Sequence, residues 1–404
     1  MRDAWLQIDG GADGAVLNLL PAGREVAPPA EGLSLACLAG LPPIERPLSV
    51  PGIEAAPTSN MDIELDNADG ALTRLWAERP PVRRAARVWA AGAVLFAGVV
   101  TGVQLGARVR LSLEAGMDRP LSDNVPLRTS AVWGGWRELR VLPWGWGQVT
   151  VAPIQYSGDQ RVFVLLDHPI QGVDEVRRDD VATPAWDWRN GVDSTGRAVS
   201  FIELAQPLAE GERLAVTLRG RMHPQTGRLL QTPAEILHDV LANLARAPVE
   251  WADFDDYRTE TAHLVLGGLL ADNTVSIRSA VDGLMQSAGS AWSAAMPGVA
   301  LTWPPLADPA APAIRVDKLS ATNLKPATSA TGIFTVLRVL YDWDYSAGRY
   351  RRAIQLQAPD AVKDFGVLEL EWAAPWLRTP RHAEELGQRM LAWLARPRWR
   401  ITCG

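Results

Sequence analysis

Apolar residues in this chain come in short runs cut off by glycine, proline or Asp-Gly turns, and that punctuation constrains the fold more than anything else. A run too short for a helix and bounded by turn residues buries its side chains best as a strand. Leu33-Ser34-Leu35-Ala36-Cys37-Leu38-Ala39 is one such run. Met61-Asp62-Ile63-Glu64-Leu65-Asp66 alternates strictly between apolar and acidic before Asn67-Ala68-Asp69-Gly70, which reads as a turn. Arg83 to Trp89, Ala93 to Val100 and Arg108 to Leu113 continue the series, with turns at Ala91-Gly92 and Leu105-Gly106. Regular strands with glycine turns predict a small barrel or sandwich over 1–117, with no helix of normal length in it.

The composition shifts at Met117, where Asp118 to Leu127 reads as a loop. Leu142-Pro143-Trp144-Gly145-Trp146-Gly147 is a tight segment leading into a strand over Gln148 to Ile154, and further strands are expected at Arg161 to Leu166, Gly172 to Val176 and Leu214 to Gly220. Residues 118–230 therefore form a second β-rich section. Three helices with recognisable starts follow. Thr232-Pro233-Ala234-Glu235 combines a threonine cap, proline at the first helical position and a glutamate that closes a capping box, ahead of an apolar face at Ile236, Leu237, Val240, Leu241 and Leu244. The second helix runs from about Thr274, with Ile277, Val281, Leu284 and Ala288 on one face. The third starts at Thr379-Pro380 and buries Ala383, Leu386, Met390 and Trp393 or Leu394. Between the last two lie a proline-rich connection, Trp303 to Pro312, and strands at Thr335 to Tyr341 and Arg351 to Leu356. The chain is expected to be α+β and mainly β, with several small barrel or sandwich domains and a few short capped helices over 1–117, 118–230 and 231–404, the boundaries interleaved.

Its 404 residues exceed one ordinary core. The opening Met1-Arg2-Asp3-Ala4-Trp5 lacks the basic start and apolar stretch of a secretory signal, which predicts synthesis in the cytoplasm. The longest apolar stretch, Val88 to Val103, is broken by glycines and is shorter than the roughly 20 residues a membrane span needs. The formal net charge of −6 is spread along the sequence, without the basic stripe that holds phosphates. Tryptophan is abundant, 17 residues against 6 Phe and 5 Tyr, as expected where large rings fill cores and interfaces between short strands.

The order of these elements, with several local phrases, resembles the phage baseplate hub or tail-tip hub family, which also includes gene-transfer-agent hubs. The phrases are Asn60 to Gly70, Leu95 to Val103, Leu142 to Gly147, Gln231 to Leu237 and the closing helix with Leu391-Ala392-Trp393-Leu394-Ala395-Arg396-Pro397. The resemblance implies a structural virion protein at the tail tip, without enzymatic activity or cofactor. It implies a homotrimer in which each chain contributes two tail-tube-like barrels, giving a pseudo-sixfold ring. That ring would join the tail tube or distal tail protein to the tip or central fibre protein, around a channel for tape measure protein and DNA, which passes without specific binding. One barrel would lie before Met117, the other around the second and third helices, with Asn124 to Thr217 of the 118–230 section as a lateral domain. Family members with further domains resemble carriers of an iron–sulfur cluster, but this sequence ends at Thr402-Cys403-Gly404. A cluster needs about four cysteines, so Cys403 reads as inert, the alternative being a cluster shared between chains.

Candidate chemistry is sparse. His168, His223, His238, His263 and His382 show no ligand spacing, and Ser287-Ala288-Gly289-Ser290 is not a nucleophile elbow. Two acidic-aromatic clusters, Trp251 to Tyr257 and Tyr341 to Tyr345, have the residue types of a glycosidase or sugar-binding site, with Asp253 and Asp342 as candidate acids. They equally suit ordinary acidic loops, and Asp253 with Asp255 would also suit a calcium ion. Trp133-Gly134-Gly135-Trp136 and Trp144-Gly145-Trp146 invite a carbohydrate or membrane contact, or simply tight packing of rings over glycine backbone. Two alternatives to the hub follow: a tail-associated cell-wall hydrolase or carbohydrate-binding protein, and a hexameric distal tail protein.

Overall fold

The structure, a computed structural model, describes residues 4–9, 16–21, 32–40, 60–90, 93–115, 118–134, 139–247, 249, 254–293, 300–302, 325–329, 332–396 and 398–402. Its first unit is a closed barrel of β1 (Ala4–Ile8), β2 (Leu17–Pro21), β3 (Leu33–Gly40), β4 (Asn60–Asp66), β5 (Ala85–Ala90), β6 (Ala93–Gln104) and β7 (Arg108–Ala115), in the order β1-β2-β3-β4-β7-β6-β5 with β5 paired back to β1. Alternation dictates the wall. Met61, Ile63 and Leu65 of β4 and Val109, Leu111 and Leu113 of β7 point inward, while Asp62, Glu64, Arg108 and Arg110 point out. Leu6, Ile8, Leu19, Val88, Phe96 and Val100 complete an interior that the described residues fill with side chains.

Asn67 to Gly70 does not join two strands but leads into a helix, α1 (Ala71–Glu78), in a region read as free of helices. Leu72, Leu75 and Trp76 have helical spacing, and Leu72 and Trp76 pack against the barrel core. Asn67 fixes the entry: its Oδ1 accepts the Leu72 N–H at 2.9 Å, and its Nδ2 donates to the Gly106 carbonyl at 2.8 Å and to Thr73 Oγ1 at 2.8 Å.

Asp118 to Leu127, read as a loop, begins with the short helix α2 (Asp118–Ser122). Trp144–Trp146 is itself a strand, β8, and the strand expected over Gln148 to Ile154 breaks at Pro153 into β9 (Gln148–Val151) and β10 (Ile154–Gln155). With β11 (Val162–Val164), β12 (Gly172–Arg178), β13 (Val181–Ala182), β14 (Trp186–Val192), β15 (Ala198–Leu204) and β16 (Leu214–Arg219) they build two sheets, β10-β11-β15-β14 and β13-β12-β16-β9. The sheets enclose a core that includes Val149, Phe163, Leu165, Val176, Ile202, Val216 and Leu218.

The remaining unit has helices on a small sheet. The capping box at Thr232 forms as expected and starts α3 (Pro233–Asp239), which runs on into a π turn over Val240–Leu244. Then come α4 (Asp255–Thr261), β17 (Gly268–Leu270), α5 (Ile277–Ser287) capped by Ser276, β18 (Ala291–Ser293), β19 (Ala300–Thr302), β20 (Lys325–Ser329), β21 (Val336–Asp344), β22 (Arg349–Gln357), α6 (Pro359–Phe365), β23 (Glu369–Ala374), α7 (Pro380–Leu394) and β24 (Arg398–Thr402). The strands form a sheet β22-β21-β23 and ladders β17-β8, β18-β19 and β20-β24. Leu121 and Val125 beside α2, and Trp144 and Trp146 of β8, join α3, α5, α7 and β21 in one core, so this unit draws on chain from before the sandwich. The barrel expected around the second and third helices falls on β18–β24; among the described residues these strands form the three-stranded sheet and two separate ladders, and 303–324 lies outside the described residues. The chain is thus α+β, mainly β, as its patterning predicts. No helix among the described residues is long and apolar enough to cross a membrane.

Candidate interaction surfaces and acidic clusters

The outer wall of the barrel is a candidate contact surface built by strand alternation. Arg110 Nη2 lies 2.5 Å from Asp62 Oδ2 and Arg108 Nη1 3.5 Å from Glu64 Oε2, each pairing diagonally between β4 and β7. Hydrogen bonds from Ser112 and Arg110 hold the Asp62 carboxyl below its ordinary value. These groups are solvated, and such pairs add little stability.

A second polar group ties the loop after α2 to the sandwich. Arg128 Nε donates to both Asp167 oxygens at 3.0 Å, and its Nη1 donates to Asp193 Oδ2 and to Thr195 Oγ1 at 3.1 Å. Both carboxylates are buried. Burial by itself would raise the Asp193 carboxyl, but hydrogen bonds from Thr195, Trp133 and Arg197 outweigh it and hold the group well below the usual carboxylate range. This is an anchor in which two buried carboxylates share one guanidinium.

The tryptophans meet where β8 runs between the sandwich and the helices. Trp146 stacks on Trp376 at 5.9 Å between ring centroids and donates from Nε1 to Asp239 Oδ2 at 2.8 Å. Arg221 Nε lies 2.7 Å from the same oxygen, with its guanidinium 4.4 Å above the Trp144 ring. Gly147, at φ +58°, lies with its α-carbon against the Leu266 carbonyl, and the Trp376 ring occupies the space a side chain on Gly268 would need. The segment Leu142 to Gly147 thus packs rings over glycine backbone, with Trp146 fully buried and Trp144 nearly so. Trp133 is half-buried, edge-on to Tyr156 at 5.0 Å, while Gly135 and Trp136 lie outside the described residues.

The described residues of the acidic-aromatic clusters are held by ion pairs, turn hydrogen bonds and core packing. Asp253 lies outside the described residues, as does Cys403. Asp255 opens α4 and pairs with Arg258 at 2.8 Å, while Phe254 and Tyr257 are buried in the core. Asp342 pairs with Arg378 at 3.4 Å and Arg352 at 3.6 Å. Asp344 caps the β21–β22 turn, accepting from the Ser346 N–H at 2.9 Å, Ser346 Oγ at 2.6 Å and the Ala347 N–H at 3.1 Å, and meets Arg351 at 2.9 Å. Burial pulls its carboxyl up, but the Ser346 and Ala347 hydrogen bonds and Arg351 pull it further down, so it stays ionised. A general acid needs the opposite shift.

Three of the histidines have defined partners. His168 is buried, with Nδ1 bonded to the Pro169 carbonyl at 2.8 Å and Nε2 accepting the Gly145 N–H at 3.1 Å; burial lowers its pKa to about 3. His263 and His382, distant in sequence, meet with ring centroids 6.3 Å apart, and His263 contacts Glu385 at 2.8 Å. Among the described residues no group of three His, Cys, Asp or Glu is placed to hold a metal ion. Burial pushes the Cys37 thiol up to about 12, which suppresses its reactivity. Sequence reasoning missed one feature, an open groove of about 680 Å³ over Ile154, Phe163 and Leu214, flanked by Arg140, Arg213 and Arg349. Its walls come from segments far apart in the chain, so no local pattern marks it.

No protein-family model matches this sequence, and no curated protein is significantly similar to it. Among solved structures, the chain is similar to a chain in the virion of a native gene transfer agent particle, with a TM-score of 0.22 and 13% identity over 56% of this chain and 80% of that one. It is also similar to the tail protein from Neisseria meningitidis MC58, with a TM-score of 0.43 and 8% identity over 100% of this chain and 81% of that one.

Proposed function

We propose that this protein is a structural baseplate-hub subunit of a phage-type tail, acting through shape and buried interface rather than catalysis. In this role three copies form a ring, each giving the closed barrel and the β18–β24 unit as two tube-facing modules. The ring joins the tail tube or distal tail protein to the tip or central fibre protein and surrounds the path of tape measure protein and DNA. One observation carries it: the phrases that resemble the hub family sit at the joints of the fold. Asn60 to Gly70 forms β4 and the Asn67-held entry to α1, Leu142 to Gly147 forms the glycine-lined crossing at β8, and Gln231 to Leu237 forms the capped start of α3. Because the barrel interior is filled, a channel in such an assembly runs between chains, past solvated walls such as the alternating charges of β4 and β7.

The test is the mass of the purified assembly together with an image down its axis. Three chains and a six-lobed ring are expected. A six-chain ring would favour a distal tail protein, and a monomer would overturn both. Release of soluble fragments from peptidoglycan, abolished by Asp342→Asn with the fold intact, would replace this role with that of a hydrolase.

A further inference from the structure

The sheet β22-β21-β23 ends in two edges of opposite charge that point away from each other. Among the described residues β22 and β23 each pair only with β21. The Ala358 N–H donates to the Thr335 carbonyl at 2.9 Å, which sets the phase of the β21–β22 ladder. With a period of two, Leu356, Ile354 and Arg352 direct their backbone groups to β21, and Gln357, Gln355, Ala353 and Arg351 direct theirs outward. On the other side the Leu368 carbonyl accepts from Thr335 and Val336, so Glu369, Glu371 and Ala373 present the outward backbone groups of β23.

The side chains at these edges are exposed and sorted by sign. Arg349, Arg351 and Arg352 lie along β22, and Glu369 and Glu371 along β23. Arg351 and Arg352 also hold Asp344 and Asp342, and Glu371 holds Arg338, while Arg349 and Glu369 have no ion pair among the described residues. Next to the β23 edge stands an apolar tip, with Phe365 38%, Val367 61% and Leu368 39% exposed. Unprotected edges template pairing with another chain, and exposed apolar residues beside one mark a contact.

We propose that β22 of one copy adds to β23 of the next, head to tail, with Glu371 opposite Arg351 and Glu369 opposite Ala353. The directions agree: β22 is antiparallel to β21 and β23 parallel to it, so the new pair is antiparallel and continues the sheet. A contact that joins one surface to a different surface of the next copy closes into a ring when the rotation between copies divides a full turn, and in the hub that ring has three members. The proposal deepens the hub assignment, and rests on it, by naming the edges that join.

The double variant Ala353→Cys with Glu369→Cys tests it in the full chain. Within one chain these positions lie two strands apart across the sheet and, opposite Leu340 and Val336, four residues apart along it, roughly 16 Å in all and too far for a disulfide, so a bond between them links copies. Oxidation is expected to give covalent multimers on a non-reducing gel. In parallel, Ala353→Pro removes only an outward N–H, which an edge strand tolerates, and is expected to weaken self-association by roughly tenfold or more without changing the circular dichroism. An assembly that forms but neither cross-links nor weakens overturns the edge pairing and leaves the hub assignment standing. Cross-linked rings of some number other than three keep the edge pairing and overturn the trimeric hub. A protein that stays monomeric at every concentration overturns both.

Discussion

The barrel and the joint around β8 use opposite means to hold their chain. In the barrel, stability lies in an apolar interior that alternation places without ambiguity, and its charges sit outside in water. At the joint, charged groups are themselves inside: Arg128 between Asp167 and Asp193, and Arg221 against Asp239 beneath a tryptophan ring. Buried pairs add little net stability when complete, yet breaking one leaves a charge stranded. The barrel therefore has many replaceable contacts, and the joint has a few whose loss cannot be absorbed.

The sharpest way to break that contrast is Arg128→Ala. Removing the cation leaves two buried carboxylates facing each other, and the sandwich is expected to lose about 3–5 kcal/mol in chemical denaturation. Leu111→Ala should follow. It opens a cavity in the centre of the barrel, where Leu111 is fully buried, and should cost about 2–5 kcal/mol, read as an earlier barrel transition. If Arg128→Ala proved as mild as a surface change, the buried cluster would not be the anchor its geometry describes.

The same contrast explains what the sequence made legible. Alternation in Met61 to Asp66 and Arg108 to Leu113 predicted the barrel wall because each residue's face depends only on its neighbours. The caps at Thr232 and Thr379 were legible for the same reason. The helix α1 was missed because Asn67 to Gly70 has turn composition; what makes it a helix entry is the Asn67 side chain bonding Leu72 and Gly106, the latter remote in the chain. Strand β14 was missed because much of it is exposed and it carries no apolar run, whereas β15 carries Val199, Phe201, Ile202 and Leu204 and was legible but unread. The meeting of His263 with His382, and of Arg128 with Asp167 and Asp193, depends on contacts between distant segments. By composition the acidic clusters suited a sugar site or ordinary acidic loops, and the ion pairs of Asp342 and Asp344 depend on partners that local composition does not mark.

The joint also carries a pH signature of its own. His168 has its pKa lowered to about 3 by burial, so the folded form stays neutral where an unfolded chain, at an ordinary 6.5, takes up a proton. The sign follows directly. Above the ordinary value neither form is protonated and nothing changes; as pH falls from 6.5 towards 3 only the unfolded chain gains the proton, and stability drops by up to ~1.4 kcal/mol per pH unit. His168→Gln, with an amide in place of the imidazole, is expected to flatten this limb in denaturation curves taken at successive pH values. An unchanged slope would assign it to another group.

The smallest effect is expected on the barrel wall, from Asp62→Asn. Its partner Arg110 is exposed and Ser112 half-buried, and losing the charge releases Arg110 to water rather than stranding it. The denaturation midpoint should shift within measurement error, and less still in high salt, which already screens the pair. Solvated charges on a wall are available for a partner, because turning them outward takes nothing from the fold. A large loss at Asp62, comparable to that of Leu111→Ala, would mean that the wall charges hold the barrel together and would erase the distinction between the two regions.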